Sequence, residues 1–60
     1  MNLIDLTPTQ LKRLAALAKT TYGTLRHVAA GRRGMSSEAA IRVERAAKRM
    51  GKDVRRETLN

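Results

Sequence analysis

Residues 11–33, LKRLAALAKTTYGTLRHVAAGRR, limit the possible fold of this chain more than any other segment. Apolar residues recur at spacings of three and four on both sides of Thr20 and Thr21, which is typical of short amphipathic helices. The two threonines favour a helix cap over a helix interior, because their side-chain oxygens accept from free N–H groups of the next turn. We therefore predict a helix, a four-residue turn and a second short helix.

A strong start signal precedes the first helix. Thr7 is placed to be its N-cap, Pro8 its first residue, and Gln10 the partner that completes a capping box. The helix is expected to run to about Lys19. The residues predicted to face inward are Leu11, Leu14, Ala15 and Ala18, and those predicted to face outward are Lys12, Arg13, Ala16 and Lys19.

Glycines are expected to end the two later helices. The second helix is predicted over residues 22–30 and stops at Gly31, because glycine adopts the left-handed conformation without a Cβ clash. A third helix is predicted from the N-cap Ser36 to about Met50, with Gly51 behind it. The residues predicted to face inward on these two helices are Leu25, Val28, Ala40, Val43, Ala47 and Met50.

These elements predict an all-α fold, a compact bundle of about four short helices that forms a single domain over residues 1–60. Residues 1–6 form either one helical turn or an extended arm, and the tail 52–60 either folds back on the core or pairs with a second subunit. A chain this short buries only about 60% of its unfolded surface, so its stability is marginal. Without cysteine it has no disulfide or thiolate site, so tight packing or a partner subunit must stabilise it.

The charge balance is strongly basic. The 13 Lys and Arg residues outnumber the 5 Asp and Glu residues and give a net charge of +8, which favours a polyanionic partner. The cations alternate with a helical apolar period, so they do not form a disordered basic tail. Single-stranded nucleic acids are bound through aromatic platforms, and this chain has one aromatic residue, Tyr22. Duplex DNA is therefore the favoured polyanion.

Other classes of protein find little support in the sequence. No apolar run approaches the roughly 18 residues of a membrane span, and the N-terminus does not resemble a secretory signal. The expected compartment is the cytoplasm of a bacterial cell or phage-infected host. The chain lacks paired carboxylates, a cysteine nucleophile, a phosphate-binding glycine loop and metal-ligand spacing, so we expect no enzyme, catalytic residue, cofactor or metal.

Residues 11–59 resemble the Cro/C1-type (XRE-like) helix-turn-helix repressors of phages and bacteria, in particular their short Cro-like members. The residues that carry this resemblance are Leu14, Ala15, Ala18, the turn Lys19-Thr20-Thr21, Leu25, Val28 and Gly31-Arg32. The segments SSEAAIRVERAAKRMG and DVRRETL resemble the family's next helix and its ending. The chain departs at Lys19, where the family usually has glycine and a left-handed lysine costs about 1 kcal/mol more. The family's usual extra N-terminal helix is also replaced by residues 1–6.

The resemblance implies that the second helix lies in the major groove of DNA. The implied base-reading residues are Thr21, Tyr22, Arg26 and His27. Arg26 can fork onto guanine O6 and N7, and His27 can donate to the same acceptors. Tyr22 contacts a thymine methyl, donates its hydroxyl to a phosphate, or is partly buried against the third helix. The predicted phosphate contacts are Lys12, Arg13, Lys19, Thr20, Arg32 and Arg33.

The third helix carries a second cationic face and one isolated apolar residue. The face consists of Arg42, Arg45, Lys48 and Arg49, and a solvated helix side is its simplest explanation. Ile41 stands one position off the inward stripe, so it is either a dimer contact or a packing edge of the monomer.

The expected function is sequence-specific binding of duplex DNA by a homodimer, at least on DNA, as a Cro-like repressor that acts by occupying its operator. One alternative is a small antitoxin or interaction protein that neutralises a partner protein through residues 1–6 and Ile41. A cationic membrane-surface peptide is disfavoured, because such helices carry bulkier apolar residues than these alanine-rich faces.

Overall fold

The computed structural model describes residues 2–59, which form three α-helices and two 3₁₀ turns and contain no strand. The helices are α1 (Pro8–Leu17), α2 (Tyr22–Ala29) and α3 (Ser37–Arg49), and the 3₁₀ turns are Leu3–Asp5 and Arg56–Thr58. The all-α prediction is confirmed, but the α-helices number three rather than about four. Residues 2–6 are too few to nucleate a stable helix, and the residue before Pro8 is biased away from helical geometry.

Each α-helix begins at the predicted cap. The Thr7 hydroxyl accepts from the Gln10 N–H at 3.2 Å, and the Gln10 side chain accepts from the Thr7 N–H at 2.9 Å, so the capping box is present. Thr21 and Ser36 each accept from the backbone N–H three residues later, at 3.1 and 3.3 Å. Each cap contributes about 1 kcal/mol to helix stability.

All three helices end in the same hydrogen-bond pattern, the Schellman motif, whose key residue is left-handed. After α1 the left-handed residue is Lys19, at φ 58°, and the next N–H, of Thr20, donates to the Ala15 carbonyl at 2.9 Å. After α2 and α3 the left-handed residues are Gly31 and Gly51, at φ 75° and 76°. Lys19 therefore adopts, as a non-glycine residue, the left-handed conformation that glycine adopts after α2 and α3.

One contiguous apolar core joins the helices, and no polar side chain is buried among the described residues. α1 packs against both α2 and α3. The core consists of Leu3, Leu6, Leu11, Leu14, Ala15, Ala18, Leu25, Val28, Ala40, Val43, Ala46, Ala47, Val54 and Leu59. The predicted inward stripes are confirmed with two changes on α3, where Ala46 is buried and Met50 is only half-buried.

Residues 2–6 and the tail residues 52–59 both fold back onto the helices. The N-terminal 3₁₀ turn packs against α2, and Leu3 is buried there. In the tail, Val54 and Leu59 are each 1% exposed, and the Leu59 carbonyl accepts from the Met35 N–H at 2.8 Å. The Glu44 carboxylate accepts from the Arg56 N–H at 3.0 Å and ties the tail to α3. Of the two alternatives for the tail, packing on its own core is therefore the one observed.

Candidate nucleic-acid interface

The outward side of α2 forms an open recess with donor groups around it. Leu25 and Val28 hold the helix to the core, and Arg26 and His27 are exposed on the other side. Helical spacing brings three α2 residues and the C-cap residue Ala30 onto this face, and the loop after the helix adds a fifth residue. The recess is lined by Gly23, Arg26, His27, Ala30 and Arg32.

Small residues make the recess concave. Gly23 carries no side chain, and a Cβ placed there would meet no atom within 4 Å, so the space above α2 is open. Ala30 lies about two helical turns further along and contributes only a methyl group. The long side chains of Arg26 and Arg32 stand beside them. An acceptor-rich surface can therefore approach the α2 backbone closely while guanidinium donors reach it from the sides.

Tyr22 links α1 to this face. Its ring lies 5.4 Å from Lys12 Nζ and 5.7 Å from the guanidinium carbon of Arg26, within the range of cation–π attraction. Tyr22 is half-buried against the core and shares a groove with residues of α1 and of the N-terminal 3₁₀ turn. The ring thus lies beside one cation of α1 and one of α2, and it is partly buried against the shared core.

The hydroxyl of Thr21 is already engaged. It accepts from the Thr24 N–H at 3.1 Å and donates to Thr24 Oγ1 at 2.8 Å. Thr21 therefore has no free donor in this conformation, and its clearest role is to begin α2. Thr20 is half-buried in the turn, where its backbone N–H continues the ending of α1.

The predicted phosphate contacts do not share a single surface. Lys12 lies beside Tyr22, and Arg32 lines the α2 recess, so both belong to the α2 side. Arg33 is exposed in the loop that follows. Arg13 instead lies in a groove with residues of α3, and Lys19 lies in a second groove between α1 and α3. The sequence pattern placed all these cations on outward faces, but it did not distinguish the two flanks of α1.

Few acids offset the cations. Among residues 2–59 the structure shows one ion pair, between Arg42 and Glu38 at 3.9 Å, one helical turn apart and both largely exposed. The carboxylates of Asp5 and Glu44 are hydrogen-bonded to backbone N–H groups. The cations of the α2 side therefore have no acidic partner within the described residues, and their field extends into solvent.

Apolar exposure is concentrated at two positions. Ile4 of the N-terminal 3₁₀ turn is 71% exposed, and Leu17 at the end of α1 is 36% exposed. Ile41, the predicted dimer residue, is half-buried. The sequence alone marks neither Ile4 nor Leu17 as a binding residue. Their only sequence signal is an apolar residue that falls off the inward helical stripe.

None of the described helices, in residues 2–59, has the length and hydrophobicity needed to cross a lipid bilayer. Comparison with protein-family models, curated proteins and solved structures found no match to this chain.

Proposed function

We propose that this protein is a sequence-specific regulator that binds duplex DNA, a Cro-like repressor that acts by occupying its operator. The observation that carries the proposal is that α2 has one side buried in the core and one side exposed to solvent. This helix buries only Leu25 and Val28, and it presents two donor-bearing side chains, Arg26 and His27, beside an open recess. A helix that is exposed along one side in this way has the shape and donors needed for reading bases.

The dimensions of α2 suit the major groove. An α-helix with its side chains is about 10–12 Å in diameter, and α2 is short, with 8 residues. The major groove is about 12 Å wide, so it admits a helix, and it presents guanine O6 and N7 as neighbouring acceptors. Arg26 supplies a planar pair of donors for them, and Gly23 lets the backbone come close. Arg26 is therefore the residue we assign to guanine.

Phosphate contacts would fix the position of α2 on the duplex. Lys12 lies on the α1 side of the recess and Arg32 on its loop side, with Arg33 next along the chain. Cations on both sides of a reading helix can meet the two strands that border one groove. Their binding would release counterions and make affinity fall with salt.

A two-fold dimer on DNA is the second part of the proposal. It rests on the resemblance to Cro-like repressors and on the need of a small domain for further contact area. Ile41 on α3 remains the candidate contact, as a half-buried residue with some free surface. We expect Ile41→Glu to weaken DNA binding while it preserves helical content. A monomer that binds a single non-palindromic site with full affinity, by sedimentation and footprinting, would contradict the dimer.

Selection from a pool of random duplexes tests the proposal most directly. The intact chain should enrich a defined motif, and the Arg26→Ala variant should enrich the same motif with one guanine position relaxed in each half-site. If the protein binds every duplex with equal affinity, it is only a non-specific polycation. The proposal of sequence-specific regulation would then be wrong.

One observation favours the alternative of a protein that neutralises a partner. Ile4 is 71% exposed on residues packed against α2, where a partner protein would bury it. Co-expression with the neighbouring gene product, followed by gel filtration, separates the two functions. A stable complex that Ile4→Gln abolishes supports the alternative, and the two chains eluting separately oppose it.

A further inference from the structure

A groove between α1 and α3 combines an apolar interior with a cationic rim, and the proposed DNA contacts do not use it. It runs along the last turn of α1 and the middle of α3. Its lining residues are Leu17, Ala18, Lys19, Arg42, Arg45, Ala46 and Arg49. None of these residues lines the recess on α2.

The interior of the groove is apolar because small residues lie where α1 and α3 meet. Ala18 and Ala46 are 2% and 3% exposed, so their methyl groups form a dry floor between longer side chains. Leu17 borders this floor and is 36% exposed. It is one of two large exposed apolar side chains, and cationic residues surround it. The groove can thus receive a bulky apolar side chain against Leu17.

The rim of the groove is positively charged, and few acidic side chains neutralise it. Lys19, Arg45 and Arg49 have no ion pair in the structure of residues 2–59, and Arg42 pairs only with the exposed Glu38. Beyond Arg49 the cationic surface continues into the neighbouring groove. That groove is lined by Thr9, Gln10, Arg13, Arg49, Met50 and Lys52.

We propose that this groove, which we call the α1–α3 groove, docks an acidic amphipathic helix of a partner protein. One apolar side chain of that helix would lie against Leu17, and its flanking carboxylates would meet Lys19 and Arg45. Such a helix matches both properties of the surface, whereas a nucleic acid backbone matches only the charge. Phosphates gain nothing from the exposed part of Leu17, and the groove has no aromatic residue on which a base could stack.

The apolar contact at Leu17 and the rim cations should affect different measurements of peptide binding. Burial of the remaining surface of Leu17 should strengthen binding by about tenfold, on the usual scale of apolar area removed from water. The rim cations should act mainly on the association rate and on salt dependence. The inference goes beyond DNA binding, because it concerns a different surface and a protein partner.

The first experiment maps a synthetic peptide onto the ¹⁵N-labelled protein by amide chemical shifts. The probe is a helical peptide of glutamate and leucine with the leucines on one face, and the control peptide replaces those leucines with serine. We expect the leucine peptide to shift amides around Leu17, Arg42 and Arg45 and the serine peptide to bind about tenfold more weakly. Equal binding of the two peptides, or shifts confined to α2, would overturn the proposal.

The second experiment uses matched variants. Leu17→Gln removes the apolar contact and keeps every charge, and we expect it to weaken the leucine peptide about tenfold. Ile4→Gln is its control, since it changes the other large exposed apolar residue outside the groove, and it should leave peptide affinity unchanged. Arg45→Gln, at an exposed side chain, should reduce the salt dependence, and Arg55→Gln is its control. If a variant and its control change peptide binding equally, the α1–α3 groove is not the docking site and the proposal is wrong.

DNA binding serves as the independent readout. Leu17→Gln should leave the affinity for duplex DNA unchanged, so failure of the groove and failure of DNA binding can be told apart. If a duplex shifts the amides of the α1–α3 groove as strongly as those of α2, and the leucine peptide does not compete there, the groove is a nucleic acid surface and the docking proposal is wrong.

Discussion

Two cationic surfaces of this small protein differ in what lies between their charges. On the α2 side, Arg26 and Arg32 stand around Gly23, where the backbone is open. In the α1–α3 groove, Arg45 and its neighbours stand around the exposed side chain of Leu17. Positive charge alone indicates a polyanion for both. The uncharged residues between the cations distinguish the surface that we propose for base edges from the surface that we propose for an apolar side chain.

α1 separates the two surfaces. Lys12 and Leu17 are five positions apart, which places them about 140° apart around the helix at 100° per residue. Lys12 lies beside α2 and Leu17 beside α3. The duplex DNA and the partner helix that we propose would therefore lie on opposite sides of α1 and would not compete for residues.

The largest effect should come from Arg26→Ala. We expect a loss of about 1–3 kcal/mol on the preferred duplex, because a bidentate contact with one guanine per half-site disappears. Random duplexes should lose much less affinity, and His27→Ala should behave similarly but more weakly. Fluorescence anisotropy with selected and scrambled duplexes measures the difference, and Arg45→Ala is the control from the other surface. Equal loss on both duplexes would mean that Arg26 only grips a phosphate.

The double variant Arg32→Ala, Arg33→Ala should weaken all duplexes alike, by roughly tenfold near physiological salt. Each lost phosphate contact should also flatten the slope of log affinity against log salt by about 0.9. Titrations over a range of salt concentrations test this, with Arg55→Ala, Arg56→Ala as the matched pair from the tail. An unchanged slope in the loop variant would remove this loop from the DNA surface.

Lys19 lines the α1–α3 groove and has the one left-handed non-glycine backbone among residues 2–59. We expect Lys19→Gly to raise the free energy of unfolding by about 1 kcal/mol, because glycine removes the Cβ clash at φ 58°. Urea unfolding measures the gain. Lys19→Asn should recover part of it, since asparagine tolerates this conformation, whereas Lys19→Ala should recover none. If the glycine and alanine variants are equally stable, the left-handed backbone of Lys19 is not strained.

The smallest effect concerns Tyr22. Tyr22→Leu keeps an apolar side chain but removes the ring beside Lys12 and Arg26, and each cation–π contact contributes about 0.5–1 kcal/mol at an exposed site. We expect DNA affinity to fall severalfold, while Tyr22→Phe keeps the ring and most of the affinity. A loss in Tyr22→Phe as large as that in Tyr22→Leu would instead point to the hydroxyl as a DNA contact.

Local sequence rules predicted the helices well. The capping box at Thr7 and Gln10 and the N-cap at Ser36 are present, because side-chain caps depend on residues three positions apart. Gly31 and Gly51 are left-handed at the predicted stops. The helices end up to two residues earlier than predicted, since the last residues form the closing turns. The outward faces of α1 and α2 also followed from helical periodicity alone.

Only the tertiary structure decided which outward residues stand together. Periodicity distinguishes the inside of a helix from its outside, but it does not tell which neighbour borders each flank. Contacts between residues distant in the chain placed Tyr22 against Lys12, separated Arg13 and Lys19 from the α2 recess, and folded Leu59 onto Met35. Leu17 is significant for the same reason. Its apolar side chain has no special signal in the sequence, and it becomes the centre of the proposed docking site only because α3 brings its cations alongside.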